Sequence, residues 1–195
     1  MTYPLDRSAQ VVSAQCVVMM EIELKFQLLP ERRRALEQAL HAGRSLRRMR
    51  LRALYFDTPQ CDLAAAGLAL RLRREGRVWV QAVKGAGDGP ISRLEHEVSR
   101  GTAATPPALD LALHDGTPEG QALQAALASA GDSLTLRFET DVWRTRRELR
   151  AGRSRVEVAL DLGSIRAGTA TLPLHEVEFE LLAGSVTDLV TVAAR

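Results

Sequence analysis

Charged and apolar residues alternate over several short segments of this chain, the first of which is EIELKF at 21–26. Glu21, Glu23 and Lys25 take every second position there, with apolar side chains between them. Side chains two apart on a strand point to the same face, about 6.5 to 7 Å apart, so these three charges share one face. The segment therefore predicts a strand with one wholly charged side.

The same alternation returns in later segments, where the charges are largely sorted by sign. A solvated face of an antiparallel sheet explains any single segment of this kind. Such faces usually mix Ser, Thr, Gln and charges of both signs, whereas here some segments offer carboxylates and others guanidinium groups. The sorting favours a shared functional surface. Its further members are Arg71 and Arg73; Lys84; Arg93, Glu95 and Glu97; Glu157 and Asp161; and Glu176, Glu178 and Glu180.

Turn and capping residues divide the chain into roughly eight strands and three helices. Pro30 opens a helix that ends at Gly43, Thr117 caps one that stops at Gly131, and Ser185 begins the last. Strands are expected at 21–28, from about 49 to 57, at 67–85 as a hairpin, and at 91–100, 134–149, 153–165 and 174–184. Residues 101–116 are expected to form a loop with at most a turn of helix. Short connections between neighbouring strands predict an antiparallel sheet or barrel with flanking helices, an α+β fold.

Composition and cysteine spacing limit the class of protein. The 195 residues, 46% hydrophobic and 26% charged, suit one globular domain. Cys16 and Cys61 have neither disulfide-framework nor zinc spacing, which favours a reducing cytoplasm. Residues 1–19 are expected to form a loose extension before a domain at 20–195. Met19 and Met20 directly precede the first patterned segment, so translation starting there is a hypothesis that the intact mass of the native protein tests.

Charge and hydropathy argue against nucleic-acid and membrane partners. The formal net charge is only +2, and the apolar run VVMM is too short to cross a bilayer. Lys25 and Lys84 are the only lysines, since every other basic residue is arginine. Their positions on two of the patterned segments are therefore informative.

Charged faces turned inward would create a lumen suited to a metal and a polyanion. Three in-line glutamates, as in EVEFE at 176–180, repel one another unless a cation neutralises them. Carboxylates without His or Cys suit Mg²⁺ or Mn²⁺ rather than zinc. Guanidinium groups match phosphate oxygens, and no glycine-rich phosphate loop is present, so side chains would hold the phosphates. This combination indicates phosphoryl chemistry.

An ordered series of motifs resembles the CYTH superfamily, also called triphosphate tunnel metalloenzymes, from Met20 to the end of the chain. ExExK, the hallmark of that family, stands at 21–25. It is followed by YFDTP at 55–59, LRLR at 70–73, the VKG lysine Lys84, SRLEHE at 92–97, RFETDVWR at 137–144, EVALDLG at 157–163 and EVEFE at 176–180. Both lysines fall on motif positions, which agrees with a need for a compact ammonium group there.

The resemblance implies an eight-stranded antiparallel tunnel that hydrolyses or cyclises triphosphates with a divalent cation, Mg²⁺ or Mn²⁺. The segments are most similar to bacterial inorganic triphosphatases, which implies hydrolysis of tripolyphosphate to pyrophosphate and phosphate. By motif, the catalytic residues would be Glu21, Glu23, Lys25, Lys84 and Asp161. Phosphates would be held by Lys25, Arg71, Arg73, Lys84, Arg93 and Arg144. Metal would be held by Glu21, Glu23, Asp161, Glu176, Glu178 and Glu180.

The same resemblance concerns a possible further domain beyond the C-terminal end of the chain. Bacterial inorganic triphosphatases of this family often continue into a C-terminal CHAD domain. The present chain stops inside its last predicted helix, so either the natural protein is longer or it lacks that partner.

Other functions share these features. A thiamine triphosphatase or class IV adenylate cyclase would need to recognise an organic group, for which Trp79 and Trp143 are candidates, although packing is the expected role of both. A non-catalytic polyphosphate or nucleotide binder would use the same lumen, and a basic RNA-binding barrel is disfavoured by the carboxylate segments. The four histidines, expected on the surface or in strands, lack a triad-like setting; they are His41, His96, His114 and His175.

Overall fold

Eight antiparallel strands close into a barrel in the computed structural model, which describes residues 18–42, 46–86, 92–128 and 133–194. The strand order around the barrel is β1-β5-β4-β3-β2-β6-β7-β8, which confirms the predicted antiparallel barrel. The strands are β1 (Val18–Gln27), β2 (Arg47–Asp57), β3 (Ala69–Glu75), β4 (Val78–Ala86), β5 (Ser92–Thr102), β6 (Thr135–Ala151), β7 (Ser154–Ala167) and β8 (Ala170–Ala183).

The first strand closes the barrel by changing partners at its middle. Its first half pairs with β5, where Glu21 lies opposite Arg93. Its second half pairs with β8, where Glu23 lies opposite Glu180. Since side chains alternate along a strand, Glu21 and Glu23 keep the same inward face across this change.

Four α-helices lie in the described part of the chain: α1 (Pro30–His41), α2 (Asp62–Ala65), α3 (Pro118–Leu127) and α4 (Val186–Ala193). The predicted caps of α3 and α4 are confirmed, because Thr117 Oγ1 accepts from Gly120 N at 3.0 Å and Ser185 Oγ accepts from Asp188 N at 3.2 Å. One turn of 3₁₀ helix, Leu111–His114, lies in the predicted loop. The predicted helix ends at Gly43 and Gly131 lie outside the described residues.

Helix α2 is the helix that sequence patterns missed. It follows the predicted turn at 57–59, and its N-terminus is held by two side chains of that turn. Asp57 Oδ1 accepts from Leu63 N at 2.9 Å, Asp57 Oδ2 accepts from Ala64 N at 3.0 Å, and Thr58 Oγ1 accepts from Asp62 N at 3.1 Å. A four-residue helix has no measurable periodicity, so these caps from the preceding turn specify it.

The hydrophobic core lies outside the barrel wall, under the helices. Leu40 of α1 and Leu189 of α4 cover the outer faces of β7 and β8, and Ile22 and Leu24 of β1 pack against this cluster. A second cluster joins α2 and α3 to β3 and β4; its buried members are Leu63, Leu68, Leu70, Val83, Leu123 and Leu127. The apolar outer faces of these strands are therefore covered by helices, as predicted, which leaves their alternate positions for the lumen.

Strands β2 and β6 present a polar outer face instead. Arg50 of β2 forms two hydrogen bonds with Asp141 of β6, at 2.7 and 2.6 Å. Trp143 lies beside them and is 46% exposed, so the packing role predicted for it is wrong. Trp79 is buried, and its Nε1 donates to Ala103 O at 3.1 Å, in agreement with the prediction.

The barrel begins at Val18, two residues before the predicted domain boundary at residue 20. The rest of the predicted extension lies outside the described residues. Among the helices that the structure describes, none has the length and apolar character needed to cross a bilayer.

Two buried histidines join β5 to the 3₁₀ turn on the outer side of the barrel. The Nδ1 atoms of His96 and His114 lie 2.7 Å apart, and Gln81 Nε2 lies 3.0 Å from His114 Nε2. Gln81 Oε1 accepts from Arg100 at 2.6 Å, which orients its amide to donate to His114. His114 is therefore a buried residue of an irregular segment, and its predicted surface or strand placement is wrong.

The stability of the fold is expected to fall in mild acid because of His114. Burial, followed by the neighbouring His96, lowers the pKa of His114 to about 4. The unfolded chain binds this proton first, near pH 6.5, so the stabilisation present above pH 6.5 is lost as the pH falls toward 4. The loss is at most about 3 kcal/mol. Urea unfolding between pH 7 and pH 4 measures it.

The matched variants are His114→Gln and His41→Gln, since His41 is exposed. The His114 variant should show a shallower dependence of unfolding free energy on pH than the wild type, whereas the His41 variant should match the wild type. Identical pH slopes for all three proteins would contradict the assignment.

Candidate functional site

A charged cavity of about 680 Å³ occupies the inside of the barrel. Its described lining includes six cationic side chains and eight carboxylates, so the lining carries two more acidic than basic groups. We call it the lumen cavity; its charged residues are Lys25, Arg71, Arg73, Lys84, Arg144 and Arg146 with Glu21, Glu23, Glu75, Glu95, Glu97, Glu157, Glu178 and Glu180. The predicted charged faces on different strands therefore meet in one cavity.

Most of the site residues predicted from sequence line this cavity. Asp161 and Glu176 lie just outside the lining and reach it through ion pairs with Arg144 and Lys25. The backbone of Arg93 pairs with Glu21, but its side chain lies outside the described ones. The predicted residues in the lining are Glu21, Glu23, Lys25, Arg71, Arg73, Lys84, Arg144, Glu178 and Glu180.

Lys84 lies at the centre of one group of carboxylates. Its Nζ is 2.5 Å from Glu21 Oε2, 3.4 Å from Glu95 Oε2 and 3.6 Å from Glu23 Oε1. Burial alone would lower the pKa of Lys84, but the carboxylates of Glu95 and Glu21 raise it above its usual value. Burial and then the charge of Glu95 raise the pKa of Glu21 to about 7. Lys84 therefore stays an ammonium, while Glu21 holds a proton up to neutral pH.

Arginines of β3 are held by two glutamates of β5. Arg71 lies 2.6 Å from Glu95 and 3.3 Å from Glu97, and Arg73 lies 3.0 Å from Glu97. Burial would raise the pKa of Glu95, but Arg71 and Lys84 lower it to about 2. Burial raises the pKa of Glu97, despite Arg73. Glu95 is thus a permanent anion that fixes the Arg71 guanidinium.

A second anchored guanidinium belongs to Arg144 of β6. Its Nε and one terminal nitrogen donate to the two oxygens of buried Asp161, at 2.8 and 2.6 Å. The same terminal nitrogen lies 2.5 Å from Glu178, whose other oxygen is 2.6 Å from Lys25 Nζ. Burial opposes ionisation of Glu178, but Arg144 and Lys25 lower its pKa below the usual range. Both oxygens of Asp161 are therefore already used by Arg144.

A row of carboxylates crosses three neighbouring strands. Glu180 of β8 is the register partner of Glu23 on β1 and of Glu157 on β7. Burial and the charges of Glu157 and Glu23 raise the pKa of Glu180. Arg146 lies 3.2 Å from Glu157, whereas Glu180 has no ion pair among the described residues. The negative charge of this row is thus only partly balanced.

The chemistry of these donors fits a hard divalent cation. The row offers only carboxylate oxygens, and the carboxylates of the whole lining outnumber its cationic groups by two. Within the described residues, no three His, Cys, Asp or Glu side chains form a ready metal-binding group. Lysines and arginines engage most of the carboxylates instead. Glu23 and Glu180 are the donors least committed to such partners, since Lys84 approaches Glu23 no closer than 3.6 Å.

One wall of the lumen cavity is apolar. Met49 and Leu51 of β2 line it, and Tyr55 beside them stacks on Phe138 with ring centroids 4.4 Å apart. Arg48, Arg50 and Arg52 of β2 take the alternate positions and lie on the outer face of the barrel. The lumen is therefore charged on most sides but not on all of them.

Several lining residues were not assigned a role from sequence. Glu95, Glu97 and Glu157 belong to the alternating segments, and Arg146 lies two residues after Arg144 on the same face of β6. The two-residue alternation along each strand could have placed these four residues on the lumen face. Tyr55 gave no such signal, because the lumen-facing residues of β2 are apolar.

Comparisons with known proteins bear on the family and the fold of this chain. A curated inorganic triphosphatase of Haemophilus influenzae is 31% identical over 178 residues, which are 89% of this chain. The chain spans 48% of that relative's length. A candidate adenylate cyclase of Bacillus halodurans has a similar fold, with a TM-score of 0.57 at 21% identity, covering 89% of this chain and 86% of that one.

A candidate adenylyl cyclase of Hippeastrum with dominant triphosphatase activity has a TM-score of 0.51 at 16% identity, covering 90% of this chain and 84% of the other. These two likenesses concern the fold. The CYTH domain itself matches over residues 19–195, nearly the whole chain. The barrel, its charged lumen and this match lead to one conclusion: the chain belongs to the CYTH domain family.

Proposed function

We propose that this protein hydrolyses inorganic triphosphate to pyrophosphate and phosphate with a divalent cation, Mg²⁺ or Mn²⁺. The observation that carries the proposal is the lumen cavity, where cationic side chains and carboxylates meet inside the barrel. The curated relative in Haemophilus influenzae is an inorganic triphosphatase, which supports the choice of substrate.

The cationic side chains are proposed to bind the triphosphate. Guanidinium forks suit phosphate oxygens bidentately, and a site with reduced access to water strengthens each contact. Buried carboxylates hold the side chains of Arg71 and Arg144 in place. Ordering these side chains when substrate binds therefore costs little conformational free energy. Lys25 and Lys84 would neutralise charge on bridging and leaving oxygens. Arg73 would be a further phosphate-binding side chain, next to Arg71 on β3.

The metal is proposed to be held mainly by Glu23 and Glu180, with Glu21 and Glu178 beside them. A bound divalent cation supplies charge neutralisation and an activated water in phosphoanhydride hydrolysis. Without ligands, the carboxylates and the basic groups neutralise one another. Phosphate oxygens would draw the basic groups away and leave the carboxylates uncompensated. Substrate and metal should therefore bind cooperatively.

The proposal is tested by measuring phosphate release from tripolyphosphate, ATP and thiamine triphosphate, each with Mg²⁺ or Mn²⁺. Preferred turnover of tripolyphosphate supports it. Preferred turnover of ATP or thiamine triphosphate would assign the organic substrate instead, with the apolar wall of Met49 and Leu51 as the contact for its organic group. Tripolyphosphate binding without turnover of any substrate would contradict an enzymatic role.

Metal affinity is expected to depend on pH through Glu21. The pKa of Glu21 is about 7, so a proton competes with the metal below neutral pH. The apparent metal affinity should fall by about tenfold for each pH unit below 7 and level off above it. Calorimetric titration of Mn²⁺ at several pH values measures this. A constant affinity between pH 5 and 7 would exclude Glu21 from the metal site.

Asp161 is proposed to position Arg144 rather than to bind metal, because both of its oxygens accept from that guanidinium. Asp161→Asn should raise the KM for tripolyphosphate by about tenfold, since a charge-assisted hydrogen bond that orients Arg144 is lost. The affinity of the variant for Mn²⁺ should stay close to that of the wild type. A tenfold or greater loss of Mn²⁺ affinity would show that Asp161 is a metal ligand.

A further inference from the structure

A second cavity, of about 550 Å³, lies outside the barrel between α1 and the outer faces of β6 and β7. We call it the outer groove; it is framed by Arg33 and His41 of α1 and by Arg48 and Trp143 of the barrel, over a floor of Leu160 and Leu162. Trp143 and Arg144 are consecutive on β6 and point to opposite sides of the wall. The outer groove is therefore separate from the lumen cavity.

The groove has an aromatic wall and an apolar floor. Trp143 is 46% exposed, although an indole ring is a large apolar surface that proteins usually cover. Helix α1 covers Leu160 in the floor but leaves Trp143 open. A cavity of this volume, lined by an aromatic ring and leucines, is of the size that takes a small molecule. The apolar part of such a ligand would be flat, to lie along the indole.

Arg48 supplies a cation that no carboxylate of the described chain engages. Its guanidinium carbon lies 4.6 Å from the centroid of the Trp143 ring, so the ring already orients it. Arg50, two residues along the same strand face, is instead bound to Asp141 by two hydrogen bonds. An oriented guanidinium without an acidic partner, next to an exposed ring, is complementary to an anionic group on the ligand.

The opposite wall is a polar stripe of α1. Arg33, Glu37 and His41 are four residues apart, so they lie along one side of the helix. Arg33 is paired with Glu37 at 3.1 Å. His41 Nδ1 lies 2.7 Å from Glu37 O and donates to it, because a carbonyl oxygen only accepts. This wall is therefore polar, and the charge of Arg33 is already paired within it.

From these observations we propose that the outer groove binds a small organic anion with a flat apolar body. The apolar body would lie on the leucine floor beside the part of Trp143 that Arg48 leaves uncovered, and the anionic group would contact Arg48. Carboxylate and phosphate share the chemistry that Arg48 recognises. The site goes beyond the proposed hydrolysis and does not depend on it.

Trp143 itself reports on the binding, because the chain has only two tryptophans and the other, Trp79, is buried. Benzoate and adenosine monophosphate serve as the carboxylate and phosphate probes. Each is titrated without divalent metal while Trp143 fluorescence and its indole NMR signal are monitored. A saturable change with at least one probe, unaffected by tripolyphosphate, is expected. The probe that binds more tightly identifies the preferred anion.

The matched variants are Arg48→Gln and Arg50→Gln, which remove neighbouring guanidinium groups from the same strand face. Arg48→Gln should weaken probe binding by about tenfold, and Arg50→Gln should leave it unchanged. The proposal is overturned if neither probe gives a saturable change, if tripolyphosphate displaces the probe, or if both variants bind as the wild type does.

Discussion

Replacing Glu23 by glutamine is expected to reduce metal-dependent hydrolysis of tripolyphosphate by at least about 100-fold. Glutamine keeps the size of the side chain but removes a charge from the row that Glu23 forms with Glu180 and Glu157. Glu23 and Glu180 are the lumen carboxylates with the weakest ion pairs to basic groups, so they are the most available to bind metal. Neutralising one of them should therefore reduce metal binding the most. Phosphate release and Mn²⁺ titration should both show the loss.

The control for this change is Glu139→Gln. Glu139 lies on the outer face of β6, and its ion pair with Arg166 is 3.5 Å long between partly exposed side chains, which contributes little to stability. The control variant should hydrolyse tripolyphosphate at the wild-type rate. If Glu23→Gln also keeps the wild-type rate and Mn²⁺ affinity, Glu23 is not a metal ligand.

Period-two patterns were sufficient to predict the strands and much of the lumen. The alternation along β1 and β8 fixes which residues share a face, whatever the fold. Leu70 and Leu72 of β3 are buried outside the wall, so Arg71 and Arg73 must face inward. Where one face of a strand is so apolar that it must be buried under a helix, the sequence also predicts that the other face points into the lumen.

The same reasoning fails on β2, whose sequence alternates arginine with apolar residues much as β3 does. There the orientation is opposite, since Met49 and Leu51 line the lumen while Arg50 lies outside. The alternation pattern cannot distinguish the two strands, because which face points into the lumen depends on what packs over the other face. Helices α2 and α3 cover β3, whereas on β2 the arginines meet Asp141 of β6.

Buried polar contacts between distant segments could not be predicted from the sequence either. The pairing of His96 with His114 joins β5 to a turn that the sequence marks only as a loop. The exposure of Trp143 depends on where α1 crosses the barrel, which no local pattern encodes. Such features depend on tertiary packing, so sequence alone predicted much of the charged set of the lumen but not the ion pairs within it.

Arg71→Ala is expected to weaken tripolyphosphate binding by about 2 to 5 kcal/mol, which corresponds to roughly 30-fold or more. The Arg71 side chain is only 12% exposed and is the main partner of buried Glu95. Its removal should also destabilise the fold by about 3 kcal/mol, because Glu95 would be left with Lys84 at 3.4 Å as its nearest remaining cation. Urea unfolding and the KM for tripolyphosphate measure the two effects.

A second substitution separates these effects. Adding Glu95→Gln to Arg71→Ala removes the uncompensated buried charge, so stability should recover while substrate binding stays weak. Arg50→Ala is the control, because it breaks a pair with Asp141 that is exposed outside the barrel and should leave stability nearly unchanged. If the double variant regains both stability and substrate affinity, Arg71 acts only through folding. If it regains stability alone, the guanidinium itself binds phosphate.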